Sequence, residues 1–294
     1  MKILVNGGLG NQLFQFAYAH RRTSKNGKIQ LVRDSKPRED RPFELDALVK
    51  TCTHKSVIKV TAPIYLKYRL AVVRRLASHQ LPTLAKVAQA IFRTNLEMMP
   101  FTYIDLMQDR MNSRTSAGYF QHWRFVDESW DTFGKDLTST LSKVELPKFL
   151  DLAVKESLVV HVRQGDLNNV KESMGILSLE YYLDAIEFLR KKTGKHKTII
   201  LTDDVNGAMK TFLGQEIDKF VGPESLNAWE TLKLMSISPN LITANSTLSW
   251  WGGYVAGKSG SNVVMPKPWF RNWHEEVGDA FYFDGVSVMS SKYQ

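Results

Sequence analysis

Apolar runs alternate with segments of helical periodicity along this chain, and this alternation restricts its fold more than any other feature. Four runs in the second half predict strands rich in Val, Ile and Leu: "SLVVHVR", "KTIILTDD", "NLITAN" and "SNVVMP". The segments between them predict helices: "SLEYYLDAIEFLRKKTG", which Ser178 would cap and Gly194 would end, "AWETLKLMSIS" and "STLSWWGGYVAG". Apolar strands that alternate with helices are typical of a parallel sheet covered on both faces. The second half is therefore predicted to be an α/β domain.

The first half opens with the same pattern. "KILVN" predicts a short strand, "GGLGNQ" a glycine-rich turn, and "NQLFQFAYAHRR" a helix. Because 294 residues are many for one hydrophobic core, two domains of roughly 150 residues are expected. We predict a two-domain α/β protein with a cleft between the domains, residues 1–150 and residues 151–294, joined near Pro147.

Positive charge is concentrated in the first half. Residues 1–150 contain 24 Lys and Arg against 13 Asp and Glu, whereas residues 151–294 contain 15 against 17. Between Lys50 and Leu96 there are nine basic residues and no acidic one, interleaved with apolar residues. We predict a basic helical insertion over residues 50–96. Two interpretations of it stay open: an amphipathic surface that binds an anionic membrane, or a helical hairpin with one solvated face.

The composition also predicts a compartment. The single cysteine, Cys52, excludes an internal disulfide framework, and no Cys/His cluster has the spacing of a zinc site. The sequence shows no signal peptide and no run of about 20 apolar residues that would span a membrane. We expect a cytoplasmic protein, soluble or peripheral on the inner face of the cytoplasmic membrane.

Polar clusters follow four of the predicted strands, where open parallel sheets bind their ligands. They are "NGGLGNQ", "HVRQGD", "TDD" and "ANSTLSWW". In "HVRQGD", the alternation of a strand places His161 and Arg163 on one face, and a guanidinium suits two oxygens of a phosphate. Asp166, which follows Gly165, is placed to hold the guanidinium or the loop. The alternative is a structural Arg–Asp pair beside a buried histidine.

The other three clusters each have a structural and a ligand-binding interpretation. "GGLGNQ" precedes a helix whose amino terminus favours anions, but it matches neither a dinucleotide fingerprint nor a P-loop, and tight packing is its alternative. The aspartates of "TDD" suit a helix cap or a nucleoside. Asn245, Ser246 and Thr247 stand at a strand-to-helix turn that suits phosphate, whereas paired tryptophans such as Trp250 and Trp251 are more often core residues.

No Asp-x-Asp sequence occurs in the chain. The usual carboxylate clamp for the cation of a nucleotide diphosphate is therefore missing. Arg163 and helix termini would have to neutralise a diphosphate instead. We expect no metal and no cofactor.

These motifs together resemble the bacterial α-1,2-fucosyltransferases of glycosyltransferase family 11. The resemblance extends from Met1 to about Trp273, in the family's order: "GGLGNQLFQFAYA", "RPFELD", "AGYFQHWRF", "VVHVRQGDL", "YY", "LTDD", "LMSISPNLITANSTLSWWGGYV" and "VVMPKPWF". It implies a GT-B-type architecture of two Rossmann-like domains facing a cleft, in which residues 1–150 bind the acceptor and residues 151–294 bind the donor. The implied donor is GDP-β-L-fucose, and the implied acceptor is a galactose-terminated oligosaccharide, free or lipid-linked. The resemblance also implies metal-independent, inverting transfer to the 2-hydroxyl of that galactose, in the synthesis of O-antigen or capsule.

The resemblance further implies roles for individual residues. Arg163 would hold the β-phosphate as it departs, and Gln164 stands where many relatives have a second Arg. Asn11 would lie near the junction of donor and acceptor, and Asp203 would contact the nucleoside. The predicted catalytic residues are Arg163, Asp166 and Asn11, and the predicted substrate-binding residues are Gly10, Gln12, His161, Asp203, Asn245, Ser246, Thr247 and Ser249.

Three questions stay open on the sequence alone. The general base is Asp166, Glu172 or, if departure of the leaving group precedes attack, the weakly accepting amide of Asn11. The donor is GDP-fucose or another nucleotide sugar, such as another GDP-deoxyhexose or UDP-galactose. A module without catalysis that binds glycan or nucleic acid is the alternative from another class, but no nucleic-acid partner is expected because no known module is evident.

Overall fold

The computed structural model describes residues 1–23, 27–33, 42–53, 56–79, 81–97, 101–103, 114–165, 174–272 and 279–294. The chain forms two compact units, Met1–Thr140 and Leu141–Gln294. The sequence places the boundary slightly later, near Pro147. The helix Lys148–Lys155, which follows this proline, packs against the helix Ala228–Ser236 of the second unit. The segment predicted as a linker therefore opens the second unit.

The first unit is built on a parallel sheet of five strands in the order β3-β2-β1-β5-β4. The strands are β1 (Lys2–Leu4), β2 (Lys28–Arg33), β3 (Ser56–Thr61), β4 (Thr94–Leu96) and β5 (Thr115–Ala117). The helices described in it are α1 (Leu9–Arg22), α2 (Asp46–Thr51), α3 (Ile64–Ser78), α4 (Pro82–Phe92), α5 (Trp123–Asp127), a π-helical turn (Trp130–Gly134) and α6 (Lys135–Ser142), which runs past the boundary.

The basic segment is not an insertion into this domain, and that part of the prediction needs correction. It contains the expected pair of packed helices, α3 and α4. However, β3 precedes the pair and β4 follows it, and both strands belong to the sheet. The pair is therefore the crossover that connects one edge strand of the sheet to the other. Strand β3 could not be recognised from the sequence, because this edge strand is only partly buried and lacks a continuous apolar run.

The second unit is built on a parallel sheet of six strands in the order β11-β10-β9-β6-β7-β8. The strands are β6 (Leu158–Val162), β7 (Thr198–Thr202), β8 (Lys219–Val221), β9 (Asn240–Ile242), β10 (Asn262–Lys267) and β11 (Ser287–Ser290). Its described helices are α7 (Lys148–Lys155), α8 (Leu179–Thr193), α9 (Val205–Thr211), α10 (Ala228–Ser236) and α11 (Thr247–Lys258). Strand β10 is not the last strand, as the sequence pattern suggested, because β11 pairs beside it.

Helix ends and core residues follow the sequence closely in the second unit. Ser178 stands at the N-cap of α8, and Gly194 ends this helix in the left-handed conformation with φ at 68°. Strands β6 and β7 are buried along their whole length. Trp250 and Trp251 are fully buried, and the Trp250 indole N–H donates to the carbonyl of Phe281 at 2.7 Å. The interpretation of the paired tryptophans as core residues is confirmed.

The chain winds both sheets in the same way. From a first strand it adds neighbours on one side, and it then crosses to the other side: β1 lies between β2 and β5, and β6 lies between β7 and β9. The predicted α/β class is confirmed, with one parallel, Rossmann-like sheet in each unit. Within the described part of the chain, no helix has both the length and the apolar character that a membrane span requires.

Candidate active site

Three of the four predicted polar clusters meet at one edge of the second sheet. Strands β9, β6 and β7 are adjacent and parallel, with Val160 opposite Ile242 and Val162 opposite Thr202. The turns that follow them therefore lie side by side. The strand order reverses between β6 and β9, and open parallel sheets bind ligands at such a reversal, beyond the carboxyl ends of the strands.

Asp203 holds both the turn after β6 and the guanidinium of Arg163. The Nε of Arg163 lies 3.0 Å from Asp203 Oδ2. The backbone N–H groups of Gln164 and Gly165 donate to the same carboxylate, to Oδ1 at 2.9 Å and to Oδ2 at 3.1 Å. A side chain at Gly165 would place its Cβ 2.9 Å from Asp203 Oδ2, which explains the glycine. Bonding through Nε fixes the plane of the guanidinium, and the Arg163 side chain remains 22% exposed.

The partners of Asp203 bear on its predicted role at the nucleoside. Its carboxylate accepts from one side chain and two backbone N–H groups, so it acts here as the support of Arg163. Contact with a nucleoside stays a prediction. The neighbouring Asp204 caps α9, because its side chain accepts from the backbone N–H of Gly207 at 2.9 Å. The helix-cap interpretation of "TDD" is thus confirmed for Asp204.

Gln164 points into the protein. Its side chain is buried, and its Nε2 donates to the hydroxyl of Thr211 on α9 at 2.9 Å. This contact joins the turn after β6 to the helix after β7. Gln164 therefore positions the turn, and in this chain the position that carries a second Arg in many relatives has a packing role.

Two adjacent tyrosines on α8 bond the backbone at the carboxyl ends of β9 and β6. The Tyr181 hydroxyl donates to the carbonyl of Thr243, just after β9, at 2.8 Å. The Tyr182 hydroxyl bonds the backbone of Arg163, and burial raises the pKa of this phenol well above its usual value. The pair "YY" thus links the ends of β9 and β6. The sequence shows only that these residues open a helix, so their role could not be read from it.

His161 lies within the sheet, below Arg163, and is 3% exposed. Burial, followed by the positive charge of Arg163, lowers its pKa to about 4, although Asp203 opposes this shift. The imidazole is therefore neutral at physiological pH. It forms part of the buried base of the site, and direct contact with substrate stays a prediction.

The pKa of His161 predicts how stability depends on pH. The unfolded chain binds a proton at this histidine near pH 6.5, whereas the folded chain does so only near pH 4. Stability is thus lost as the pH falls between these values. From pH 7 to pH 4 the free energy of unfolding of the wild type should fall roughly 2–3 kcal/mol further than that of His161→Gln. Urea titrations at each pH measure the free energy of unfolding. The control His196→Gln, at an exposed position, should show the same decrease as the wild type. An equal decrease in the wild type and both variants would refute the prediction.

In the turn after β9, two side chains bond the protein backbone and two others are partly exposed. The Asn245 amide donates to the carbonyls of Met174 and Gly175, and the Ser249 hydroxyl accepts from the backbone N–H of Ala244 at 2.9 Å. Both side chains are buried, and their contact with substrate stays a prediction. Ser246 and Thr247 are partly exposed at the amino terminus of α11, where backbone N–H groups and the helix dipole favour phosphate.

The first unit has a corresponding edge, with Asn11 at its centre. The Asn11 Oδ1 accepts from Gln121 Nε2 at 2.7 Å, which links the first turn of α1 to the loop after β5. The order of this sheet also reverses between β1 and β5. Gly7 adopts a φ of 76°, and a Cβ there would lie 2.5 Å from the Nδ2 of Asn11. Asn11 is partly exposed, so it can reach a ligand as predicted.

Gln12 is buried, and its side chain makes hydrogen bonds to the protein backbone. Its Nε2 donates to the carbonyls of Gly7 and Pro42, and its Oε1 accepts from the backbone N–H of Glu44 at 2.9 Å. Its role in substrate binding stays a prediction. Gly10 is also buried, in the first turn of α1.

Glu97 in the first unit has the same role as Asp203 in the second: its carboxylate holds the turn after the neighbouring strand. It follows β4, and its carboxylate accepts from the backbone N–H groups of Tyr119 and Phe120 after the adjacent β5. Burial raises the pKa of Glu97, and these N–H groups oppose the shift. Each unit thus uses one carboxylate to fix the neighbouring turn.

The contact between Gly7 and Asn11 gives a test of Asn11 through its backbone. Ala at either Gly7 or Gly194 should cost about 1–2 kcal/mol of stability, because both have positive φ. Only Gly7→Ala displaces Asn11, since nothing lies within 4 Å of a Cβ at Gly194. We expect Gly7→Ala alone to lower kcat/KM, by about tenfold. Thermal melts measure the stability and initial rates measure kcat/KM. Equal values of kcat/KM for the two variants would show that Asn11 does not belong to the site.

Two predicted candidates for the general base, Asp166 and Glu172, lie outside the described residues. A group of potential metal ligands occurs elsewhere, in the first unit: His20, Cys52 and Asp136, whose ligating atoms lie within 4.8 Å of one another. The Cys52 thiol donates to Asp136 at 3.1 Å. His20 stands near the end of α1 opposite to Asn11, so this group is not part of the edge described above.

The sequence profile of Glycosyl transferase family 11 matches residues 1–283. The chain belongs to this family. It is therefore a glycosyltransferase, and the family resemblance of its motifs is confirmed. "O-antigen biosynthesis glycosyltransferase WbnK" of Escherichia coli is 27% identical to this family 11 enzyme over 291 residues, which cover 90% of this chain and 93% of the relative. "Alpha-1,2-colitosyltransferase" of Escherichia coli is 25% identical over 164 residues, which cover 52% of this chain and 55% of the relative.

Two solved structures are similar to the family 11 enzyme over nearly its whole length. A glycosyl transferase family 9 protein from Veillonella parvula is 11% identical, covers 98% of this chain and 86% of its own, and gives a TM-score of 0.45. Escherichia coli heptosyltransferase WaaC with ADP is 10% identical, covers 99% and 91%, and gives 0.42. At these TM-scores the similarity adds nothing to the assignment, which rests on the family profile.

Proposed function

We propose that this enzyme transfers L-fucose from GDP-β-L-fucose to the 2-hydroxyl of a galactoside, with inversion, in the assembly of O-antigen or capsule glycans. The observation that supports it most is the Arg163–Asp203 pair at the reversal of the second sheet, with the amino terminus of α11 following the adjacent strand. Both features suit a diphosphate. The name of one relative, an α-1,2-colitosyltransferase, supports transfer of a deoxyhexose in an α-1,2 linkage, and the name of the other supports a role in O-antigen synthesis.

The chemistry requires stabilisation of the leaving group. As the bond to the anomeric carbon breaks, negative charge develops on the departing diphosphate. The Arg163 guanidinium, held by Asp203 at 3.0 Å, would meet this charge without having to reorient. Ser246, Thr247 and the first turn of α11 would supply neutral donors. The proposal needs no metal, because these groups take the place of a cation.

The acceptor hydroxyl must lose its proton. In the proposal, Asn11 lies near the hydroxyl and accepts its hydrogen bond through Oδ1, whose orientation Gln121 sets. An amide is a weak base, so this suits a reaction in which the leaving group departs well before attack. Asp166 and Glu172 stay alternative bases, and their replacement by Asn and Gln separates the three candidates.

A defined assay tests the donor, the acceptor and the linkage together. The enzyme is incubated with GDP-fucose, other GDP-deoxyhexoses including GDP-colitose, or UDP-galactose, each with galactose-terminated oligosaccharides and with a chelator. Product linkage and anomeric configuration are assigned by NMR. An α-1,2-fucosylated galactoside is expected. Transfer of colitose instead of fucose would change the donor in the proposal and leave the assignment of the site residues intact. The name of one relative suggests this alternative donor.

Calorimetry with GDP separates the enzyme from a binding module. We expect GDP to bind and Arg163→Ala to weaken this binding. A glycan-binding module would bind the galactoside without the nucleotide, and a nucleic-acid-binding protein would retain polynucleotide in a salt-dependent manner. Either result in the absence of GDP binding would overturn the proposal.

A further inference from the structure

The crossover formed by α3 and α4 presents an apolar surface that no element of the described chain covers. On α3, one stripe faces inwards at helical spacing: Leu66, Leu70 and Val73 are buried. A second stripe with the same spacing faces solvent, with Ile64 70% exposed and Tyr68 68% exposed, followed by Val72. The helix is therefore apolar on two faces, although the domain needs only one of them.

Helix α4 repeats this arrangement. Ala85 and Ala88 pack inwards, whereas Leu84, Val87 and Ile91, at positions i, i+3 and i+7, are exposed, with Ile91 71% exposed. The Arg69 guanidinium lies over the Tyr65 ring of α3 at 5.1 Å and over the Phe92 ring of α4 at 5.7 Å. The start of α3 and the end of α4 are therefore adjacent, and their exposed apolar residues form one patch.

The charged residues of the segment that forms this patch all have one sign. From Ser56 to Leu96 the chain has seven Lys and Arg, among them the exposed Arg74, Arg75 and Lys86, and no Asp or Glu. A soluble surface usually mixes both signs and keeps large apolar side chains apart. Tyrosines beside aliphatic residues and a basic margin are typical of helices that lie in the interface of an anionic bilayer.

We propose that the face formed by α3 and α4 docks on the surface of an anionic phospholipid bilayer. The aliphatic side chains would enter the boundary between headgroups and acyl chains, and the basic residues would contact lipid phosphates. A second copy of this chain is a poorer occupant, because two such faces would bring basic residues together with no acidic partner. Nucleic acid is also a poorer occupant, because its phosphates give no favourable contact to Ile, Leu and Val.

Vesicle flotation of the full chain tests this surface, using phosphatidylcholine with and without phosphatidylglycerol at low and at high salt. We expect the wild type to float with the anionic vesicles at low salt and to be released by salt. The double variant Arg74→Glu, Arg75→Glu should bind at least about tenfold more weakly. The triple variant Ile64→Ser, Tyr68→Ser, Ile91→Ser should also lose binding, because the apolar contribution is independent of charge.

Matched variants in the second unit control for net charge and general hydrophobicity. Lys192→Glu with Lys197→Glu changes the same number of exposed charges, and Leu213→Ser removes a side chain that is 83% exposed. Neither control should alter flotation. All variants should keep the thermal midpoint and the GDP affinity of the wild type, so a failure of the proposed donor site would be distinguishable from a failure of docking.

Three results would overturn the proposal. The first is an absence of flotation with anionic vesicles at low salt. The second is equal loss of flotation in the second-unit controls. The third is a different occupant: retention of polynucleotide that Arg74→Glu, Arg75→Glu abolishes without a change in flotation, or a dimer that the triple Ser variant converts to a monomer in the absence of lipid.

Discussion

Arg163→Ala should lower the rate of transfer by roughly 10²–10³-fold, the effect typical of removing one preorganised group that faces developing negative charge. The loss should appear in kcat with GDP-fucose as donor, and GDP should bind more weakly. Stability should change little, because the Arg163 side chain is partly exposed and the sheet below it is intact. The measurements are initial rates, calorimetry with GDP and a thermal melt.

Two further arginine variants sharpen this test. Arg163→Lys keeps the charge but loses the planar fork, so it should recover only a small part of the rate. Arg190→Ala is the matched control: its guanidinium bonds His196 and Thr198 at the start of β7, the opposite edge of the same sheet. It should lower stability and leave kcat unchanged. A folded Arg163→Ala enzyme with near-normal turnover would overturn the site.

The elements of this fold could be predicted because their signals are local. The apolar run "SLVVHVR" and the capping residues Ser178 and Gly194 act within a few residues of themselves, and the structure has β6 and α8 where they predict. Six strands, β2, β3, β4, β5, β8 and β11, were not predicted from the sequence. Four of them lie at sheet edges, where the side chains of β3 and β11 are at most partly buried, and β4, β5 and β8 have only three residues each. At such positions the apolar pattern that identifies a strand is weak.

The location of the candidate site could also be predicted, but the partners of its side chains could not. A polar residue at the end of a strand faces either a ligand or a neighbouring turn, and the sequence does not distinguish the two. Arg163 and Asn11 remain partly exposed, whereas Gln12 and Ser249 bond the backbone around them and are buried. That outcome depends on which strands become neighbours, a property of the whole sheet.

The support of Arg163 illustrates the same point. The sequence suggested Asp166, which is near in the chain, as the residue that holds the guanidinium or the loop; Asp166 lies outside the described residues, so this stays a prediction. In the structure Asp203 binds both, because β7 lies beside β6 and brings its carboxyl end next to that of β6. Gln164 likewise bonds Thr211, which is distant in sequence. Contacts across strands require the topology, which no local pattern encodes.

Asp203→Asn should therefore lower both stability and rate, unlike Arg163→Ala. An amide keeps one acceptor oxygen and places its N–H₂ group either against Arg163 Nε and the backbone N–H of Gly165 or against the backbone N–H of Gln164, so at least one donor loses its partner. Leaving such a donor unsatisfied should cost about 1–3 kcal/mol in the free energy of unfolding. The rate should fall about 10²-fold, because the guanidinium is no longer held in place.

Asp204→Asn is the matched control, since it makes the same chemical change one residue further along. Asn caps a helix about as well as Asp, so α9 should be unaffected and both stability and kcat should stay near wild type. Urea titrations and initial rates compare the two variants. If Asp203 served only the nucleoside, Asp203→Asn would weaken GDP binding with no loss of stability, and the support of Arg163 would then have to come from another residue.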